Sequence, residues 1–314
     1  MFGKPKGERE AMSADELVIL GCSSQQPTRY RNQGAYFFRF NGAGILFDPG
    51  EGTQRQFIHA DLAPTAIDYM FVSHFHGDHC LGVGSMLMRL NLDKVTHPVH
   101  CYYPKSGSEY FKRLRFGTIY HNTIKVVEHP IAMPSKQMSL IAELPEFEAY
   151  AARLNHGVDN LGYRLKAPDR RRFYKEKLAE KKIHGPLVGE LADRGSITVG
   201  GQKIYLEEVS YHCPGKIIAV VIDTRPCSGA YELAEGADLL LCESTYTEEH
   251  THLARSYSHM TAGEAAEVAK KAGVKKLVLT HFSARYTDTR VFENEARKTF
   301  ENSYSASDFK RFDF

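Results

Sequence analysis

From position 71 to position 82 the chain reads Phe-Val-Ser-His74-Phe-His76-Gly-Asp78-His79-Cys-Leu-Gly. An apolar run ends here and delivers three imidazoles and a carboxylate within six residues. Neutral imidazole and carboxylate are the borderline-hard donors that suit Zn2+ or Mn2+. His74 and His76 alternate, so from an extended segment both project the same way and reach one ion. Asp78 and His79 lie past the turn at Gly77 and serve a second ion. The competing reading is a solvated loop that happens to be rich in histidine. An ordered set of four metal-type donors at a strand end speaks against it.

Such donors need rigid elements that stop beside the ion. Glu16–Leu20, Ala35–Phe40, Ile45–Phe47, Tyr69–Ser73 and Val99–Tyr103 have strand length and strand composition in the first half. Ile217–Ile222, Leu239–Cys242 and Leu277–Thr280 do so in the second. Each is apolar on both sides, the mark of a sheet covered on both faces. Thr261–Ala272 is the clearest helix: Thr261 and Glu264 fit a capping box, and Gly273 sits where a terminating glycine belongs. Ser85–Leu92, Glu109–Arg115 and Val291–Thr299 are further helices. Strands interleaved with helices in two halves predict an α/β layered architecture.

Residues 1–14 read as a flexible, solvated N-terminal tail, leaving one domain from 15 to 314. Arg164–Arg194 lacks a clean buried face and interrupts the strand pattern, so it reads as an inserted arm at about 166–194. The arm is basic: positions 164–182 hold nine Lys/Arg against three Asp/Glu, a net +6 in a chain whose total is +2. Such asymmetry points to a local polyanion contact rather than a wholly basic binding protein.

Composition narrows the classes further. Hydrophobic content of 42% and charged content of 25% describe a globular chain, not a disordered one. Six cysteines show no Cys-x-x-Cys pair, so no disulfide framework or zinc ribbon is indicated, and a reducing cytoplasm suits them. No signal-like segment opens the chain and no apolar run approaches the length of a membrane span, so the expected location is cytoplasmic.

His-x-His-x-Asp-His after a buried strand resembles the signature of the metallo-β-lactamase superfamily. Further motifs resemble its ribonuclease Z family, in the short form. They are Leu20-Gly-Cys-Ser-Ser, Pro27-Thr-Arg-Tyr-Arg31-Asn32, Phe47-Asp48-Pro-Gly50-Glu51-Gly-Thr53-Gln54, Leu154-Asn-His156 with Gly162-Tyr163-Arg164, Ile222-Asp223-Thr224, and Thr280-His281-Phe-Ser283-Ala-Arg285-Tyr286. The resemblance implies a four-layer αβ/βα sandwich. It assigns His74, His76 and His156 to one zinc, Asp78, His79 and His281 to the other, and Asp223 to the bridge. Asp223 and His281 each end an apolar strand, where α/β sheets place their ligand crevice. His156 follows Phe147–Leu154, a candidate edge strand. Asp48 fits an acceptor for the outer N–H of a liganding imidazole, and competes with a plain turn-forming aspartate. His97, His100, His121, His129, His212, His250 and His252 lack such contexts.

The resemblance also implies hydrolysis of precursor tRNA at its 3′ trailer, leaving a 3′-hydroxyl on the tRNA and a 5′-phosphate on the trailer. Two ions would activate water and neutralise phosphoryl oxygens, with Asp78 orienting the water. Protonating the leaving oxygen falls to His259 with Glu243 as its partner, since a neighbouring carboxylate favours imidazolium. The chain departs from the family at Cys242-Glu-Ser-Thr, usually His-Glu-Ala-Thr, at His259-Met-Thr, usually His-Ser-Thr, and at Ile222, usually Gly. Arg29, Arg31, Asn32, Ser283 and Arg285 are candidates for phosphate contacts. Arg170-Arg171-Arg172 and Gly185-Pro186 resemble the RNA-gripping arm of the family, against a solvated basic helix over Arg170–Lys182. A homodimer, in which one subunit's arm holds RNA cut by the other, follows from the same resemblance. The alternatives are a phosphodiesterase of the superfamily acting on small diesters or cyclic nucleotides, and a binding protein that has lost catalysis.

Overall fold

The computed structural model describes residues 14–134 and 138–314. The expected tail at 1–14 falls almost wholly outside the described residues. Two compact units emerge, one formed by residues up to Lys166 together with Ile217–Phe314, the other by Ala167–Lys216.

The larger unit begins with β1 (Glu16–Gly21), β2 (Ala35–Phe40), β3 (Ala43–Phe47), β4 (Tyr69–Phe71), β5 (Val99–Pro104) and β6 (Val126–Ile131). It continues with β7 (Ser139–Glu143), β8 (Glu148–Arg153) and β9 (Leu161–Lys166). The smaller unit contributes β10 (Arg170–Phe173), β11 (Ser196–Val199), β12 (Gln202–Tyr205) and β13 (Ser210–Cys213). The chain then returns through β14 (Ile217–Val221), β15 (Leu239–Glu243), β16 (Leu277–Thr280), β17 (Ser303–Ser305) and β18 (Arg311–Asp313).

Two seven-stranded mixed sheets result, ordered β18-β1-β2-β3-β4-β5-β6 and β17-β16-β15-β14-β9-β8-β7. Their inner faces meet through aromatic rings: Phe71 lies 5.0 Å from Tyr163 and Phe40 lies 6.2 Å from Phe147. The Tyr163 hydroxyl also donates to the Val72 carbonyl at 2.7 Å. Helices cover the outer faces. Val83, Met86, Leu87 and Leu90 of the helix Gly82–Leu92, with Phe57 and Phe111 from neighbouring helices, pack on Val18, Phe37, Leu46 and Met70. Being covered on both faces explains why β1, β3, β14, β15 and β16 read as continuous apolar runs rather than alternating ones. Helix Ala262–Lys271 carries the expected box, with Thr261 accepting from the Glu264 N–H and Glu264 accepting from the Thr261 N–H.

Two expectations change. The strand containing Ala149–Arg153 is not an edge, because β7 pairs outside it. β7 is half-exposed and mixed in composition, so periodicity alone reads it as loop. The C-terminal residues add β17 and β18 as the opposite edges of the two sheets.

The segment expected to end near 194 continues as a compact unit to Lys216 and owns a small core of Ile183, Leu191, Ile197, Ile204, Leu206 and Val209. Arg170–Phe173 is a strand paired with Ser210–Cys213, not the start of a basic helix; Lys175–Glu180, Pro186–Arg194 and the short turn Leu206–Val209 are the helical parts of the unit among the described residues. The partner strand lies about forty residues downstream, beyond any local pattern. Gly200 and Gly201, both at positive φ, make the two-residue turn between β11 and β12.

Candidate metal centre

Parallel strands aim their C-terminal ends at one place. Asp48 follows β3, His74 lies three residues past β4, Asp223 follows β14 and His281 follows β16. β3–β4 and β14–β15–β16 are parallel pairings, so these ends gather where an α/β sheet opens its crevice. Asp48, Asp223 and His281 all have left-handed backbone, with φ of 45°, 54° and 61°. Aspartate and histidine are among the non-glycine residues that adopt that conformation most readily, and here it turns each side chain at a strand end. Asp78 and His79 come from the short helix Gly77–Cys80, and His156 from the loop between β8 and β9.

Two donor sets form, and a third group, Asp223, His259 and His281, overlaps them. His74 Nε2 lies 2.9 Å from His76 Nδ1, and His156 Nε2 lies 3.3 Å from the same atom. Asp223 Oδ2 faces both His74 Nε2 at 3.6 Å and His156 Nε2 at 3.9 Å. In the second set, Asp78 Oδ2 lies 3.2 Å from His79 Nε2 and 3.4 Å from His281 Nε2. Asp223 touches this set too, at 3.2 Å from His79 and 3.1 Å from His281. Each set has its ligand-type atoms close enough to share one cation. Among the described residues, His79 Nε2 and Asp223 Oδ1 are buried without a hydrogen-bond partner. Buried polar atoms left so are costly, which is what a pair of cations would relieve. The residues present therefore fit two metal ions.

At every shifted donor but His79, the protonation states agree with that fit. Burial, with neighbouring imidazoles, holds His74, His76 and His156 below the usual imidazole range, leaving lone pairs free. Burial would raise Asp78 and Asp223, but adjacent histidines outweigh it and keep both ionised. His79 moves upward, because Asp223 and Asp78 outweigh its burial; a cation bound there would take the place of that proton.

Outer contacts lock the donors. Asp48 lies 3.0 Å from His79 Nδ1 and accepts from both the N–H and the hydroxyl of Ser73, at 2.7 and 2.6 Å. With Nδ1 donating to Asp48, His79 presents Nε2 to the centre. Three contacts escape sequence reasoning. The Gln25 N–H donates to Asp78 Oδ2 at 2.8 Å, Thr245 Oγ1 lies 3.0 Å from His281 Nδ1, and the Asn160 amide donates to the carbonyls of Ile222 and Asp223. Gln25 acts through its backbone, so no side-chain signal marks it.

Next to the centre, His259 Nδ1 lies 2.9 Å from Glu243 Oε1. Glu243 is fully buried at the end of β15 and also accepts from the N–H groups of Thr224, Thr245 and Met260 and from the Thr245 hydroxyl. Burial pushes His259 down, but Glu243 more than offsets it and raises the imidazole to about 9. The departures Cys242, Met260 and Ile222 are all fully buried apolar positions that leave this pair in place.

The expected RNA contacts divide. Arg29 and Arg285 are exposed. Arg31 is buried and donates to the Ser283 carbonyl at 3.3 Å, while the Asn32 amide donates to the carbonyls of Glu51 and Gln33. Both hold the loop together. Arg170, Arg171 and Arg172 are exposed on β10, and Arg171 meets Ser210 at 3.2 Å. Gly185 (φ 59°, ψ −132°) precedes Pro186, the first residue of its helix. Elsewhere His97 binds the Ile67 carbonyl, His100 pairs with His129, His212 with Asp169 and His250 with Tyr286. None joins a donor cluster among the described residues.

Two helix-flanked mixed sheets with a histidine–aspartate centre at their strand ends define a class, and residues 30–217 match the family model of the metallo-beta-lactamase superfamily. The ribonuclease Z of Protochlamydia amoebophila (strain UWE25) is 56% identical over 303 residues, covering 96% of this chain and 98% of that protein. The ribonuclease Z of Chlamydia pneumoniae is 55% identical, covering 96% and 97%. The crystal structure of human tRNase Z, short form, superposes with a TM-score of 0.69 at 23% identity, covering 95% of this chain and 98% of that one. The chain belongs to the ribonuclease Z family of the metallo-β-lactamase superfamily.

Proposed function

We propose that the protein is a zinc-dependent endoribonuclease that removes the 3′ trailer of precursor tRNA by hydrolysis, leaving a 3′-hydroxyl on the tRNA and a 5′-phosphate on the trailer. The observation that carries this reading is the convergence of both donor sets and the buried His259–Glu243 pair in a chain of the ribonuclease Z family.

His74, His76 and His156 would hold one ion and Asp78, His79 and His281 the other, with Asp223 between them. Zn2+ is the metal such N/O donors favour, with Mn2+ the next candidate. Two bound cations supply Lewis acidity that activates water and neutralises phosphoryl oxygens. Asp78 orients the attacking water, and Asp48 keeps His79 in the tautomer that presents Nε2. His259 does the remaining work. Its Nδ1 is committed to Glu243, so the proton at Nε2 is the one delivered to the departing 3′-oxygen. Glu243 keeps that proton in place at neutral pH.

Arg29, Arg285 and Ser283 flank the centre for RNA, while Arg170, Arg171 and Arg172, with Gly185-Pro186, present a basic surface to the phosphate backbone. Arg31 and Asn32 shape the first loop from within. A homodimer in the cytoplasm completes the reading. No helix among the described residues is long and apolar enough to cross a membrane. The test is incubation of end-labelled precursor tRNA with and without a chelator. Chelator-sensitive cleavage just after the discriminator nucleotide is expected, and uncut RNA with two metal ions bound would overturn the reading.

A further inference from the structure

Next to His259, Tyr246 and Arg285 lie one against the other, in an arrangement that says how Arg285, placed above beside the centre for RNA, would meet it. The Tyr246 ring is buried and lies 6.2 Å from the His259 imidazole. The Arg285 guanidinium carbon lies 5.6 Å from the centroid of the same ring, above its face. Ser283 Oγ accepts from Arg285 Nε at 3.3 Å, and Ser283 is itself anchored by its N–H to the Thr245 carbonyl and by its carbonyl to Arg31. Arg285 is exposed, so the side of its guanidinium away from Tyr246 is open.

We propose that Arg285, backed by Tyr246, is a stacking platform for the base of the last nucleotide of the tRNA body. This rests on the reading above, in which His259 protonates the 3′-oxygen that departs with that nucleotide. His259 has only Nε2 free, and the departing oxygen must come within hydrogen-bond reach of it. The sugar bearing that oxygen then sits beside His259, and its base falls toward the neighbouring aromatic wall. A guanidinium is planar and weakly hydrated, and stacks on unpaired bases much as an aromatic ring does. An arginine gripping a phosphate points its N–H edge at the oxygens. Here Nε, one arm of that fork, is taken by Ser283 Oγ and the guanidinium carbon lies over the Tyr246 ring, which favours stacking over a bidentate grip.

The experiment is single-turnover cleavage of three precursor tRNAs: one intact, one abasic at the last body nucleotide, and one abasic at the first trailer nucleotide. Each is tested with the wild type and with Arg285→Lys, which keeps the charge and loses the plane. On intact RNA the variant should require between about 5- and 100-fold more protein for half-saturation, the range of one lost stack. The dependence on salt should keep its slope, because the charge is retained. On RNA abasic at the last body nucleotide the two proteins should bind equally; on RNA abasic in the trailer the full gap should persist. Wild-type behaviour of Arg285→Lys on intact RNA, or the same gap on all three RNAs, overturns the platform while leaving the endoribonuclease reading intact. If the wild type cuts none of the three, the endoribonuclease reading fails and the platform falls with it.

Discussion

At Asp223 one carboxylate faces both donor sets, with contacts between 3.1 and 3.9 Å to four histidines. Asp223→Ala should therefore leave fewer than two metal ions per chain by elemental analysis and abolish RNA cleavage. Alanine is also strained at φ 54°, so Asp223→Asn, which tolerates left-handed backbone, is the better-folded comparison and should show the same metal loss. Normal metal content with a normal rate would remove Asp223 from the centre. At His259 the sign of the pH effect follows from its raised value of about 9. The group is protonated below that value, so kcat should hold through neutral pH and fall as pH rises past about 9. Glu243→Gln removes the charge that lifts the imidazole, so the alkaline limb should move to lower pH. His259→Ala should lower kcat by roughly 10²–10⁴-fold, the usual range for a lost general acid. A limb that stays in place in Glu243→Gln would separate the two residues.

Among the elements, the helix Ala262–Lys271 starts two residues after Met260, whose N–H binds Glu243, so its first turn fixes the floor under His259. The cap is reciprocal: Thr261 Oγ1 accepts at 3.2 Å and Glu264 accepts at 2.9 Å. Thr261→Ala should cost about 1 kcal/mol, read as a lower urea midpoint at unchanged slope, and Thr261→Ser should recover most of it. Wild-type stability in the alanine variant would show that the helix start is held by tertiary packing alone. This element was legible because capping is local chemistry. β7 was not, because its residues are half-exposed and mixed, and the strand Arg170–Phe173 was not, because its partner lies about forty residues on and its own residues are charged.

For the molecule as a whole, charge is divided by unit. Ala167–Lys216 holds ten basic and seven acidic residues, a net +3, with its positive excess concentrated in the first half. On a strand, Arg170 and Arg172 share one face while Arg171 takes the other, where Ser210 and Glu207 meet it. Arg170→Ala with Arg172→Ala should therefore weaken precursor binding more than Arg171→Ala. Each lost phosphate contact should flatten the plot of log affinity against log salt by somewhat under one unit. Affinity should drop equally for different tRNA sequences, since backbone contacts position without reading bases. An unchanged slope in the double variant would remove the strand from the RNA surface.

The order of histidines and aspartates, and the apolar runs that deliver them, were determined by the sequence alone. His74, His76, Asp78 and His79 fall on one short stretch, and Asp223 and His281 stand at the ends of recognisable buried strands. Local pattern suffices there because a strand covered on both faces must be apolar throughout, whatever its neighbours. Tertiary structure alone decided which atoms meet. It placed Asp223 between the two donor sets, drew the Gln25 N–H to Asp78, turned Arg31 inward, and set Arg285 over Tyr246. Such contacts join residues up to two hundred and fifty positions apart, and three of the site residues are held in left-handed backbone that their own side chains do not demand. Interactions of that range depend on how two sheets close on each other, a property of packing that no window along the chain contains.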